Sequence, residues 1–239
     1  MAKDINARIE EFAGALASSL GSNLVSLVLY GSVVRGDYDP KRSDVNLLLI
    51  LHDASPSGLT PAGSVFARWT REGQPPPLIF SAREWRASTD VFAMEIEDMR
   101  QAHRVLRGED PFAGLETSPA DIRDELEREA RGKLVHLRAH YAACESDGRA
   151  LGELLLSSAK TFFVLFRTLL RLKGTVPPRP LGELVRATAA IVEFDPQSLG
   201  WVLARMEGHR VPDLKPRDPT GVRYVEAIER VVRFIDEMH

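Results

Sequence analysis

Five consecutive apolar residues, Leu47-Leu48-Leu49-Ile50-Leu51, do most to limit what this chain can fold into. Side chains alternate across a strand, so an unbroken apolar run has no face to offer to water. Such a run predicts a strand inside a sheet, covered on both sides. A second β-prone segment, Leu24 to Tyr30, precedes it. Gly73 and Pro75-Pro76-Pro77 break the chain further on, and Leu78-Ile79-Phe80 reads as a short third strand. Helical periodicity surrounds these strands. Ile5, Ile9, Phe12, Leu16 and Leu20 share one helical face, and Gly21 is a natural stop. Leu59 to Glu72 and Arg83 to Ser88 also read as helical, whereas Val91 to Leu106 fits neither period.

The character changes after about residue 112, where strand patterns end. Ile122, Leu126, Ala130, Leu134, Leu137 and Tyr141 mark a long helical face. Further helices are predicted over Leu151 to Lys173, Leu181 to Val192, Pro196 to Glu207, and a last segment carrying Val222, Val225, Ile228, Val232 and Ile235. The expected fold class is α+β: a small mixed sheet flanked by helices over residues 1–115, then an all-α helical bundle over residues 116–239.

Composition narrows the partners. The 31 basic and 34 acidic side chains leave a net charge of −3, without the basic excess of a duplex-binding protein. No clear nucleic-acid signature is present. The single cysteine, Cys144, excludes an internal disulfide and a cysteine zinc cluster, and a reducing cytoplasm is the expected compartment. Glu153, Lys160 and Arg167 interrupt the most apolar stretch, so no membrane span is expected.

The segment from Leu27 to Ile50 carries the chemistry. One strand ends on Gly31-Ser32, eleven residues intervene, and the next strand opens with Asp44-Val45-Asn46. Gly31 lets a phosphate approach the backbone with no β-carbon in the way. Ser32 offers a hydroxyl and an amide at a helix start, which favours an anion. Arg35 follows one turn on and is placed to face the same anion. Residues i and i+2 of a strand share a face, so Asp44 and Asn46 point the same way. Two carboxylates so placed would hold a pair of Mg²⁺ ions against a nucleoside triphosphate.

This segment resembles the nucleotidyltransferase superfamily, the fold of DNA polymerase β and of the aminoglycoside nucleotidyltransferases. Gly31, Ser32 and Asp44 match its pattern, and Gly31-Ser-x-x-Arg35-Gly with Ser43-Asp44 is typical of the bacterial minimal members. Thr89 to Glu95 and His103 to Phe112 look like an uncharacterised bacterial branch of the superfamily. The resemblance implies a nucleotidyltransferase fold, ATP or a similar nucleoside triphosphate as ligand, Mg²⁺ as cofactor, and an acceptor that the sequence does not name. It assigns Gly31, Ser32 and Arg35 to the nucleotide, Asp44 to catalysis, and Asp44 with Asn46 to the metal.

Two departures stand out. The second carboxylate of the pair is Asn46, whose amide brings no charge. The family's third acid lies on a later strand, and here that strand, Pro77 to Ser81, has none. The leading expectation is therefore a nucleotide binder with weak or absent transfer, a pseudoenzyme. One alternative is an active transferase with a relocated acid, Glu84, Glu95 or Glu97, with Asp37 and Asp39 of the intervening loop as further carboxylates. Another is a non-catalytic, antitoxin-like or regulatory interaction protein. Arg131 and His136 carry the Arg-x4-His spacing of HEPN-type ribonucleases, but a five-residue step turns helical side chains about 140° apart. They read instead as part of a charged helix surface.

Overall fold

A computed structural model describes residues 5–36, 38 and 43–238, which form two compact units, Met1–Ser118 and Pro119–His239. The first holds a four-stranded sheet in the order β3-β2-β1-β4. Its strands are β1 (Leu24–Tyr30), β2 (Asn46–Leu51), β3 (Leu78–Ser81) and β4 (His103–Gly108). β1 runs antiparallel to both neighbours, while β2 and β3 are parallel, so the sheet is mixed. The apolar run of Leu47 to Leu51 is flanked by β1 and β3, and every one of its side chains is buried.

Alternation divides that run between two cores. Leu47, Leu49 and Leu51 join Leu27 and Leu29 on one face, where helix α1 (Ile5–Leu20) supplies Ile9, Phe12 and Leu16. On the other face, Leu48, Ile50 and Val28 meet Trp85, Ile96, Met99 and Phe112. Two helices cover this second face: α5 (Ala82–Arg86) and α6 (Ala93–Gln101), numbered after α2 (Ser32–Arg35), α3 (Pro56–Leu59) and α4 (Gly63–Arg71). The expected helix over Leu59 to Glu72 is thus two helices joined by a 3₁₀ turn at Thr60–Ala62. The ambiguous stretch from Val91 to Leu106 contains a helix and a strand separated by one residue, which explains its mixed period.

Gly108 closes β4 with φ of +77°, and a β-carbon there would lie 2.0 Å from the Val25 carbonyl oxygen. Only glycine fits so close an approach between strands. The three tryptophans share one device. Trp69 donates its indole N–H to the Pro75 carbonyl at 2.9 Å, Trp85 to Pro111 at 2.8 Å and Trp201 to Pro212 at 2.9 Å. Each indole N–H fastens a loop, which for the buried rings of Trp69 and Trp85 also satisfies a polar group removed from water.

The second unit consists of α7 (Pro119–Cys144), α8 (Gly148–Leu172), α9 (Leu181–Val192), α10 (Gly200–Met206) and α11 (Pro219–Asp236). Its described residues contain no strand. α8 buries Leu151, Leu155, Ala159, Phe162, Phe163, Phe166 and Leu169, so the phenylalanine cluster is core. The Tyr224 hydroxyl, fully buried on α11, pairs with the Ser158 hydroxyl on α8 at 2.9 Å. Among the described residues no helix is long and apolar enough to cross a membrane.

Candidate functional site

β1 ends on Tyr30, and the chain turns at Gly31 with φ of +82° and ψ of −144°. That conformation is essentially restricted to glycine. The Gly31 amide donates to the Ala102 carbonyl at 3.1 Å, tying the turn to the end of α6. The Gly31 carbonyl accepts from Val34 and Arg35, and Gly36 closes the turn in the left-handed region by donating to the Ser32 carbonyl at 2.9 Å. The helix expected at Ser32 is therefore a single turn, and its dipole is correspondingly small.

Asn46 is the first residue of β2 and pairs with Tyr30 across the ladder. A β-carbon on residue 31 would lie 3.0 Å from Asn46 Nδ2 and 3.6 Å from Arg35 Nη2. Gly31, Arg35 and Asn46 are thus together. Asp44 precedes the strand and is exposed, and Val45 between them is buried and donates its amide to Gln74 Oε1 at 3.1 Å. Asp37, Asp39, Lys41 and Arg42 lie outside the described residues.

Strand parity identifies the face. Val28, Leu48 and Ile50 lie on the α6 side, so Tyr30 and Asn46, at even positions of the same strands, do too. Tyr30 also pairs with His103 at the start of β4. A polar row, Asn46–Tyr30–His103, therefore crosses three strands at one end of the sheet. The His103 ring packs 4.5 Å from Phe112, its Nδ1 lies 2.8 Å from the Arg100 carbonyl, and its Nε2 lies 3.5 Å from Asp110.

α6 brings carboxylates to this row. Arg35 Nη1 lies 3.5 Å from Asp98 Oδ2. The Tyr30 phenol is pushed up to about 12, first by burial and then by the negative charges of Asp98 and Glu95. Glu95 and Asp98 are three residues apart, hence neighbours on one helix face.

The other two acids singled out from the sequence are engaged with other partners. Glu84 closes a capping box: its carboxylate accepts from the Ser81 amide at 2.8 Å, and the Glu84 amide donates to the Ser81 hydroxyl at 3.2 Å. Ser81 pairs with Leu51, the far end of β2 from Asn46, about 16 Å along the strand. Glu97 is paired with Arg100 at 3.3 Å and accepts from Gln101. Arg131 of the ribonuclease-like spacing is engaged by Asp236 at 2.8 Å and Glu127 at 2.9 Å, while His136 is exposed.

Sequence reading missed Tyr30, His103 and Asp98. Tyr30 directly precedes Gly31 and could have been read as sharing the face of Asn46. Asp98 had only its three-residue spacing from Glu95 to mark it. Among the described residues, no three His, Cys, Asp or Glu side chains gather as a metal site would require. Among the described residues, the oxygen donors supplied at the start of β2 are the exposed Asp44 carboxylate and the Asn46 amide oxygen.

No protein-family model matches the chain, and no curated protein matches it in sequence. In three dimensions it is similar to a spectinomycin adenyltransferase from Enterococcus faecialis, solved with ATP and spectinomycin. The match has a TM-score of 0.56 at 12% identity and covers 95% of this chain and 99% of that one. At that identity the likeness establishes the fold: a nucleotidyltransferase-like sheet with helices, followed by a helical region.

Proposed function

We propose that this protein binds a nucleoside triphosphate, with ATP as the first to test, at the edge formed by Gly31, Ser32, Arg35, Asp44 and Asn46, and that nucleotidyl transfer there is weak or absent. The observation that carries the reading is the donor set. Gly31 carries no side chain beside a guanidinium, and that guanidinium suits phosphate oxygens. Asp44 is the one carboxylate of the strand pair, with Asn46 in the second place. Mg²⁺ is commonly held by one or two carboxylates together with substrate phosphates. The residues present thus fit one Mg²⁺ carried by the triphosphate, held by Asp44 with help from the Asn46 amide oxygen, and do not fit a pair.

When bound, such an ion would neutralise phosphate charge. The protein itself positions the phosphates through Gly31, Ser32 and Arg35. Transfer would also require a base for the incoming hydroxyl, and Ile79, in register with Leu49 on the third strand, is no substitute for an acid. Thermal unfolding with and without ATP and Mg²⁺ tests the reading, because a ligand that binds only the native state raises stability with its concentration. A flat midpoint across ATP concentrations would refute it and favour an interaction protein that keeps the fold without the nucleotide.

A second reading is an active transferase that draws its acid from α6. It is favoured by the reach of the Glu95 charge to Tyr30, beside Asn46. It requires Mg²⁺-dependent turnover of labelled ATP onto a hydroxyl acceptor, lost in Glu95→Gln. Turnover that survives that change would dismiss it.

A further inference from the structure

The charges beside Gly31 already satisfy one another. Arg35 Nη1 lies 3.5 Å from Asp98 Oδ2, and both side chains are about one-third exposed, at 36% and 30%. The second terminal nitrogen, Nη2, lies 3.6 Å from the place a Gly31 β-carbon would occupy. The guanidinium thus covers the bare backbone at Gly31 while its other edge rests against α6. Asp98 is seconded by Glu95, since both charges act on the Tyr30 phenol. An anion reaching Gly31 meets two carboxylates and a cation that is already engaged.

The engagement is loose. A charge-assisted N–H···O bond is normally about 2.7–2.9 Å long, and exposed ion pairs contribute little to stability. A triphosphate offers more negative charge and several oxygens to the fork of one guanidinium, which takes phosphate in a bidentate grip.

We propose that Asp98 is an internal competitor for Arg35: in the free protein it holds the guanidinium over Gly31, and a nucleoside triphosphate binds by exchanging that carboxylate for its own phosphate oxygens. The exchange rests on the nucleotide reading above and adds to it a residue, on an element outside the strand–turn–strand segment, that sets affinity. No bond is made or broken, and the cation changes partners.

The test is calorimetric titration of the full chain with ATP and, separately, with inorganic triphosphate. Five proteins are compared: wild type, Asp98→Asn, Arg35→Met, the double variant, and Glu10→Gln. The last removes one charge from the α1 side of the sheet, where Glu10 pairs with Arg107 at 3.1 Å. Thermal unfolding confirms that each variant folds.

Exchange predicts that Asp98→Asn binds both ligands about fivefold more tightly, the ratio equivalent to about 1 kcal/mol. Glu10→Gln is expected to bind like wild type. The gain must vanish when Arg35 is also replaced, and loss of all binding in both Arg35→Met proteins supports the exchange equally. Unchanged or weaker binding by Asp98→Asn would overturn the competition and leave the nucleotide reading intact. So would a gain that persists without Arg35, because it would then be bulk repulsion. Failure of both wild type and Asp98→Asn to bind would overturn the two proposals together, whereas binding by Asp98→Asn alone supports both.

Discussion

Asn46 stands so close to Gly31 that a β-carbon on residue 31 would lie 3.0 Å from its Nδ2. The contact joins the end of one strand to the start of the next, and it makes both residues sensitive to substitution in opposite ways.

Gly31→Ala meets two penalties, the crowding by Asn46 and a backbone with φ of +82° and ψ of −144°. Such backbone strain costs about 1–3 kcal/mol. Gly36 shares φ of +82°, but nothing lies within 4 Å of its β-position, and its backbone is in the left-handed region. Gly36→Ala is expected to cost about 1 kcal/mol. Urea midpoints of the two variants check the order, and a Gly31→Ala protein as stable as Gly36→Ala would contradict it.

Asn46→Asp is nearly isosteric and restores the carboxylate pair with Asp44. If missing anionic charge limits transfer, this variant gains Mg²⁺-dependent turnover of labelled ATP by about tenfold or more, a barrier change of about 1.4 kcal/mol. Turnover that stays at the wild-type level would locate the deficit in the acid-free third strand.

Asp44 is exposed and lies outside the strand ladder. Asp44→Ala is therefore expected to shift stability by no more than about 0.5 kcal/mol. It should nevertheless abolish the extra thermal stabilisation that Mg²⁺ adds to ATP. Circular-dichroism melts with ATP alone and with ATP plus Mg²⁺ separate the two effects.

Alkaline pH offers a further readout. The Tyr30 phenol is raised from 10.0 to about 12, chiefly by burial and then by Asp98 and Glu95. A group raised on folding binds its proton more tightly in the native state. Its contribution is complete below the unfolded value and is lost as pH rises towards the folded one. Stability should thus decline between pH 10 and about 12, and Tyr30→Phe should flatten that decline. Tyr224, raised by burial as well, begins to lose its contribution from the same unfolded value of 10.0, so Tyr30→Phe should make the alkaline decline shallower without abolishing it. Melting temperatures at stepped alkaline pH measure both.

Much of the first unit was legible in residue order, because its signals are local. The all-apolar run at Leu47 announces a strand with both faces covered, and the spacing of Ile9, Phe12 and Leu16 announces a helix with one buried face. Gly31-Ser32, Asp44 and the acid-free strand at Leu78 were visible for the same reason, since each rests on neighbours in the chain. The stretch from Val91 to Leu106 was opaque because a helix and a strand meet there with one residue between them, and their periods overlap.

What only the tertiary structure decided is which distant side chains share an edge. Register sets Asn46, Tyr30 and His103 in one row, and a one-residue slip would have turned them to the other face. The direction in which α6 crosses the sheet brings Asp98 to Arg35, while the capping box keeps Glu84 at the far end. Charge at the candidate site depends on those non-local placements. Residue order by itself determined a strand–turn–strand whose second strand is preceded by one carboxylate, Asp44, with an amide in the paired position, and packing determined that an acidic helix faces it.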